Sequence, residues 1–287
     1  MIYLNGQFTA LEKAKISVLD RGFLFGDSVY EVIPVYAQKC FYLSAHLTRL
    51  KQSLSGVDIE NPKTDQQWSD LFKQLIIQND QASAQYIYLQ ISRGADSYRD
   101  HCAPKNITPT VFAMLNDIAP AKKDLAETGV KAITLDDDRW KFCNIKSTLL
   151  LPNILARTKA AQNDAIEAIL IRDNIVVEGA ASNIFMIQDG VIYTQPKSHQ
   201  ILAGITRDIV LNLAKERGTT VKEVVFSTGA LFAADEVWMT SSTKEILPIC
   251  MIDQQKINTG KPEKLWKIYQ QKYKDKIQQF ITENHDQ

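Results

Sequence analysis

The chain has 287 residues, 45% of them hydrophobic, and 33 Lys plus Arg balanced by 33 Asp plus Glu. It is therefore long and apolar enough to bury a sizeable core, and it carries no net field with which to hold nucleic acid or an anionic membrane surface. Its four cysteines, Cys40, Cys102, Cys143 and Cys250, show no Cys-x-x-Cys spacing and its four histidines no pairing suited to a metal, so a reduced, cytoplasmic protein with no metal site is expected.

"MIYLNGQF" starts directly on a strand and turn, with no basic region leading into an apolar one, and no apolar run reaches the ~18 residues of a membrane span. Neither secretion nor membrane anchoring is expected. After this first hairpin, "GFLFGDSVYEVIPVY" and "CFYL" predict strands around an Ala-Gln-Lys turn, and Ser44 is placed to cap a helix through "AHLTRLKQSL" with Leu47, Leu50 and Leu54 as its apolar stripe. A second helix around "QQWSDLFKQLIIQ" precedes two strands, "AQYIYLQISRG" and "PTVFAML", separated by a loop that carries Arg99 and His101. The polar stretch "NDIAPAKKDLAETG" then predicts an interdomain linker. A mixed α/β chain in two domains is expected, residues 1–119 and 120–287.

The second domain opens with a strand "VKAITL" and a helix through "LPNILARTKAAQ". "AILIRDNIVV" and "MIQDGVIYT" each place apolar segments around a short turn, Asp-Asn in one and Asp-Gly in the other. Between them lies "EGAASNIF", where Glu178 precedes Gly179, Ala180, Ala181 and Ser182, small residues that leave room for a flat group to approach the backbone. A helix "ITRDIVLNLAKERG", the strand "EVWMTSST" and a long terminal helix complete the chain.

Three further features carry chemistry. Lys146, in "CNIKSTLLLPNILA", follows a strand-like segment and precedes an apolar run, a setting that favours the neutral amine able to attack a carbonyl. Gly204 and Thr206 in "LAGITRD" open a helix whose first N–H groups outline an anion site. Four hydroxyls in "TSST" and the guanidinium of Arg49 are further groups suited to phosphate oxygens. No Gly-rich nucleotide fingerprint is present, which leaves a phosphate on a smaller cofactor.

"RGFLFGDSVYEVIPVY", "IKSTLLLPNILARTKA", "VVEGAASNIF", "ILAGITRD" and "ADEVWMTSSTKEILPI" resemble, in order and spacing, the signature segments of the fold type IV pyridoxal-phosphate enzymes. The resemblance runs from about residue 1 to residue 275. It implies a two-domain homodimer with a smaller N-terminal α/β domain and a larger, barrel-like C-terminal domain. It also implies pyridoxal 5′-phosphate as cofactor, held covalently by Lys146, with Glu178 facing the pyridine nitrogen and Leu202 packed on one ring face. Arg49, the N–H groups of Ile205 and Thr206, and Ser241 and Ser242 would then hold the phosphate. The Arg-x-His pair of Arg99 and His101, with Tyr30, resembles the carboxylate trap of D-amino acid aminotransferases, contributed there by the neighbouring subunit. This chain sets Arg99 one residue further from Arg93-Gly94 than that pattern, and has Ala180-Ala181 where a Ser-Ser pair is frequent. Transamination between a D-amino acid and a 2-oxo acid is the implied activity. Alternatives are an L-specific branched-chain aminotransferase, an aminodeoxychorismate lyase, or a non-catalytic binding protein that retains the fold.

Overall fold

The computed structural model describes residues 1–79, 84–119 and 125–283. The expected linker at 116–129 therefore lies in part, at 120–124, outside the described residues. The chain forms two compact units: Met1–Ala119 with Ile145–Leu149, and Pro120–Asn144 with Leu150–Gln287. The segment bearing Lys146, expected in the second domain, thus belongs to the first unit.

The first unit contains β1 (Ile2–Leu4), β2 (Gln7–Thr9), α1 (Arg21–Phe25), β3 (Ser28–Tyr36), β4 (Lys39–Cys40), α2 (Leu43–Gly56), α3 (Asp65–Ile77), β5 (Ala84–Ser92) and β6 (Thr110–Asp117). Its six strands pair antiparallel in the order β2-β1-β6-β5-β3-β4. Along β5, Gln85, Ile87, Leu89 and Ile91 are buried while the residues between them are half-buried, the period-two signature of a sheet with one covered face. Val29, Ile33, Ile87 and Leu89 join Leu47, Leu50 and Leu54 of α2 and Trp68, Phe72 and Leu75 of α3 in one core. The α3 helix starts on a capping box, with Thr64 and Gln67 each satisfying the other's backbone N–H.

Ser44 is not the cap of α2. The helix starts at Leu43, two residues before the expected Ala45, and its N-cap is Tyr42 in the left-handed region at φ 53°. Edge-on contacts of Phe41 with Tyr36 and Tyr42 hold this start, so aromatic packing replaces the hydroxyl cap.

The second unit contains α4 (Leu125–Thr128), β7 (Val130–Asp136), α5 (Leu151–Gln162), β8 (Glu167–Arg172), β9 (Ile175–Gly179), β10 (Asn183–Gln188), β11 (Val191–Thr194), α6 (Ile205–Arg217), β12 (Val221–Glu223), α7 (Thr228–Phe232), β13 (Glu236–Ser241), β14 (Glu245–Ile252), β15 (Gln255–Lys256) and α8 (Lys264–Glu283). Its mixed sheet runs β12-β11-β10-β13-β14-β7-β8-β9, with β15 on β14. Gly179 at the end of β9 bridges Ser182, just before β10. The far end of the strand path therefore returns beside β10, and the sheet curls towards a barrel. The Asp173-Asn174 and Asp189-Gly190 turns hold both central residues at positive φ, between 51° and 73°, as tight hairpin turns require.

Candidate active site

In the first unit, β3 separates two chemistries by alternation. Glu31 lies in register with Val29, Ile33 and Val35 on the helix-covered face, whereas Tyr30 belongs to the opposite one. On that second face Tyr30 stacks on Tyr88 at 5.8 Å, and Tyr88 donates its hydroxyl to Gln90. Burial, reinforced by Tyr30, pushes the Tyr88 phenol up to about 12.

Lys146 is fixed by its backbone. Its N–H donates to Ser53 Oγ at 3.1 Å, its carbonyl accepts the Tyr30 N–H at 2.9 Å, and the Thr148 N–H reaches the carbonyl of Ser28. This pairing along β3 directs the side chain to the Tyr30 face, where Nζ stands 4.1 Å from the ring centroid. The ring face packs against the amine, and among the described residues no carboxylate pairs with it.

Arg49 lies on the helix side. Its Nε and Nη2 donate to the two oxygens of Glu31, both at 2.8 Å, and His46 Nδ1 is 2.8 Å from the same carboxylate. All three side chains are buried. Burial alone would raise the Glu31 carboxyl, but the charge and hydrogen bonds of Arg49, and then His46, hold it well below the usual range. Burial lowers His46 despite its hydrogen bond to Glu31, so the ring is neutral at pH 7 and donates through Nδ1–H. Sequence reasoning missed Glu31 and His46. The available signal was a carboxylate in phase with the apolar positions of a strand.

Arg99 and His101 lie exposed on the loop between β5 and β6. Each touches the Phe25 ring, the Arg99 guanidinium at 4.9 Å and the His101 ring at 5.4 Å.

In the second unit Glu178 is buried at 4% exposure. Arg139 Nη1 donates to its Oε1 at 2.5 Å, while its Oε2 accepts from Asn183 Nδ2 and from the Leu202 N–H, both at 3.1 Å. Asn183 Nδ2 also donates to the Leu202 carbonyl at 2.8 Å, so Leu202 and Glu178 are bolted together. Arg139 is held in turn by Asp137, which also accepts from Arg172. Burial raises the Glu178 carboxyl to about 7, against the opposing pull of Arg139.

The α6 helix starts at Gly204 with no side-chain cap, so the N–H groups of Ile205 and Thr206 emerge from its N-terminus. Ser241 ends β13 and accepts the Lys244 N–H, with Ser242 next to it in the turn.

Two of the small residues after Glu178, Gly179 and Ala180, also have a packing role within the chain. A Cβ at Gly179 would stand 2.1 Å from Ser182 Oγ and 3.1 Å from the Glu167 side chain. Gly179 is thus required by packing within the chain. Ala180 is likewise buried, in a small core with Ala156, Ala160 and Leu170.

Each unit by itself holds parts that suit pyridoxal 5′-phosphate: in the first, an amine without a salt-bridge partner among the described residues; in the second, a buried carboxylate for a cationic ring nitrogen and an uncapped helix N-terminus with hydroxyls for a phosphate. Residues 28–252 match the family model Amino-transferase class IV, and the chain belongs to that family. It is a pyridoxal-phosphate-dependent aminotransferase of fold type IV. It is 39% identical over 269 residues to a D-alanine aminotransferase of Bacillus licheniformis, covering 94% of both chains. To the D-alanine aminotransferase of Staphylococcus epidermidis it is 37% identical over 278 residues, covering 96% of this chain and 98% of the other. Among solved structures it is similar to the T.th. branched-chain amino acid aminotransferase with pyridoxamine 5′-phosphate. There the TM-score is 0.88 at 28% identity, covering 96% of this chain and 93% of that one.

Proposed function

We propose that the protein transfers the amino group of a D-amino acid, such as D-alanine or D-glutamate, to a 2-oxo acid. The observation that carries this reading is the 39% identity to a D-alanine aminotransferase across 94% of both chains. The Arg99 guanidinium supports it: among the described residues no carbonyl or carboxylate accepts from it, so its fork is open to a substrate carboxylate.

Bound pyridoxal 5′-phosphate supplies the electron sink that receives the charge left when the substrate Cα loses its proton. Lys146 holds the cofactor through its amine and carries the Cα proton. Glu178 would keep the pyridine nitrogen protonated, and its hydrogen bond from the Leu202 N–H would hold that residue in place to pack on the ring. In the second unit the N–H groups of Ile205 and Thr206 and the hydroxyls of Ser241 and Ser242 would hold the phosphate, and in the first unit Arg49 is a further cation suited to it. Arg99, His101 and Tyr30 hold the substrate carboxylate. The side on which they hold it decides which enantiomer presents its Cα proton to Lys146.

A homodimer follows from the same reading, the loop of one protomer serving the site of its partner. Leu151, Ile154 and Leu155 support this, since all three are more than half exposed on α5 and a second copy would cover them. Among the described residues no helix is long and apolar enough to cross a membrane, and the four cysteines are free, which supports a cytoplasmic location.

The similarity to branched-chain aminotransferases in solved structures favours a second reading, L-specific transamination of apolar amino acids. One assay separates the two. Each enantiomer of alanine, glutamate and leucine is offered with a 2-oxo acid, and the new amino acid is measured. D-alanine and D-glutamate should react; turnover of L-leucine with none of D-alanine overturns the proposal.

A further inference from the structure

Arg99 and His101 sit in a loop of 17 residues, 93–109, between β5 and β6. Its first residues are tied by backbone, through an Asp20–Ala95 bridge and the Arg21 N–H to the Gly94 carbonyl at 2.8 Å, but among the described residues Arg99 and His101 pair with no strand, and a trap that must be ordered anew for each substrate loses affinity to that ordering. The first unit supplies an anchor at the required place.

The Arg21 guanidinium, 5% exposed, gathers three consecutive carbonyls of the loop. Nη1 donates to Asp100 O at 2.6 Å and to Cys102 O at 3.4 Å, and Nη2 donates to His101 O at 3.1 Å. Its Nε donates to Asp27 at 2.8 Å, and Asp27 also accepts two bonds from Arg93. Arg93 reaches onward to the carbonyls of Val57 and Asp58 at the end of α2. The backbone around Arg99 is therefore tied to the body of the unit through two arginines and one carboxylate. Burial raises the Asp27 carboxyl, but its bonds to Arg93 and Arg21 outweigh that and keep it ionised.

Phe25 completes the anchor. Arg21 and Phe25 are four residues apart on α1 and so share one face of that short helix. Gly26, left-handed at φ 68°, ends the helix immediately after Phe25. The Phe25 ring has Arg21 at 4.9 Å, Arg99 at 4.9 Å and His101 at 5.4 Å. Arg21 has its donors engaged by the chain, whereas Arg99 is steadied through the ring and keeps its donors open. That division is what a preformed carboxylate receptor needs.

We propose that Arg21 and Phe25 are the positioning residues of the substrate-carboxylate trap, Arg21 fixing the loop backbone and Phe25 orienting the Arg99 and His101 side chains. The proposal rests on the reading that Arg99 and His101 receive the carboxylate. Neither Arg21 nor Phe25 is required to touch the substrate.

The test uses the holoenzyme with three substitutions, Phe25→Leu, Arg21→Lys and Arg99→Leu, and two readouts. The first is the KM for D-alanine against kcat. The second is the dissociation constant of propionate, a carboxylate with no amine to react. Phe25→Leu should raise both constants about five-fold, the scale of a partly exposed cation–π contact, with kcat at saturation unchanged within about two-fold and an unaltered melting temperature. Arg21→Lys, which keeps the charge but loses the fork, should raise both by roughly ten-fold and speed tryptic cleavage after Lys105. If Arg99→Leu raises both constants while Phe25→Leu leaves them at wild-type values, the positioning role is wrong and the trap stands. If Arg99→Leu itself moves neither constant, the trap is wrong and this inference falls with it. Phe25→Leu decides the matter even if Arg21→Lys does not fold.

Discussion

Arg139 Nη1 donates to Glu178 Oε1 at 2.5 Å, and the same guanidinium grips Asp137 with its Nε and Nη2. Glu178 therefore has a fixed cationic neighbour on one oxygen and two neutral donors, Asn183 and the Leu202 N–H, on the other. Arg139 limits how far burial can raise this carboxyl and fixes the direction in which its free lone pair points.

A pH dependence of stability follows. The folded-state value of Glu178 is raised from 4.5 to about 7 by burial, so the folded protein binds this proton more tightly than the unfolded chain does. Its contribution to stability is fully present below pH 4.5 and is lost as pH rises to about 7, with a limiting slope of about 1.4 kcal/mol per pH unit. Glu31 acts in the opposite sense at acid pH, because its carboxyl is lowered. The difference between wild type and Glu178→Gln isolates the Glu178 slope. Chemical denaturation of cofactor-free protein from pH 5 to 8 should show the slope in wild type and not in the variant, and saturating pyridoxal 5′-phosphate should flatten the wild type. Identical curves for both proteins would contradict the raised value.

Glu178→Gln should retain bound cofactor but slow loss of the Cα proton, because a neutral amide does not hold the ring nitrogen protonated. Rate should fall more than affinity, as measured by cofactor titration beside single-turnover kinetics. A variant that loses the cofactor yet turns over normally when saturated would make Glu178 an affinity residue only.

Lys146→Ala should leave the fold intact and abolish turnover. General acid–base work alone is worth ~10²–10⁴-fold, and this substitution also removes covalent attachment of the cofactor. The backbone bonds of residue 146 to Ser53 and Tyr30 do not involve its side chain, so circular dichroism and melting temperature should match wild type. Ordinary activity in this variant would sink the assignment.

Arg49→Leu should destabilise the first unit as well as weaken cofactor binding. Glu31 would be left buried without its bidentate partner, and breaking a buried pair in this way costs about 3–5 kcal/mol. Adding Glu31→Leu should restore much of the stability but not the cofactor affinity. Full recovery of affinity in the double variant would show that Arg49 acts only as the counter-ion of Glu31.

Gly179→Ala should cost about 1–3 kcal/mol by overpacking, since its new methyl would meet Ser182 Oγ and Glu167. A melting temperature equal to wild type would mean that Ser182 moves aside freely, and the packing account would fail.

Much of the fold was legible because its signals are local. The Asp-Asn and Asp-Gly turns specify positive φ, and the Leu47, Leu50, Leu54 stripe marks the buried face of α2. The candidate site residues were expected one segment at a time, each beside turn or helix-start residues. The groups that orient them were not. Arg49 and Glu31 are 18 residues apart in sequence, Arg139 and Glu178 39, and Arg21 and His101 80. No periodicity joins residues so far apart, and only the folded backbone brings their charges together. For the same reason the sequence around Lys146 gives no sign that Ile145–Leu149 pairs with β3.

That pairing orders events during synthesis. At Ser28–Tyr30, β3 has β5 on one side and residues 146–148 on the other. A ribosome that has released only the first 119 residues has released a unit whose β3 still shows an unpaired edge, a template for another chain. This edge is closed only once residues 146–148 have emerged, and until then it can pair with another chain or be held by a chaperone. Lys146 arrives on the segment that closes this edge.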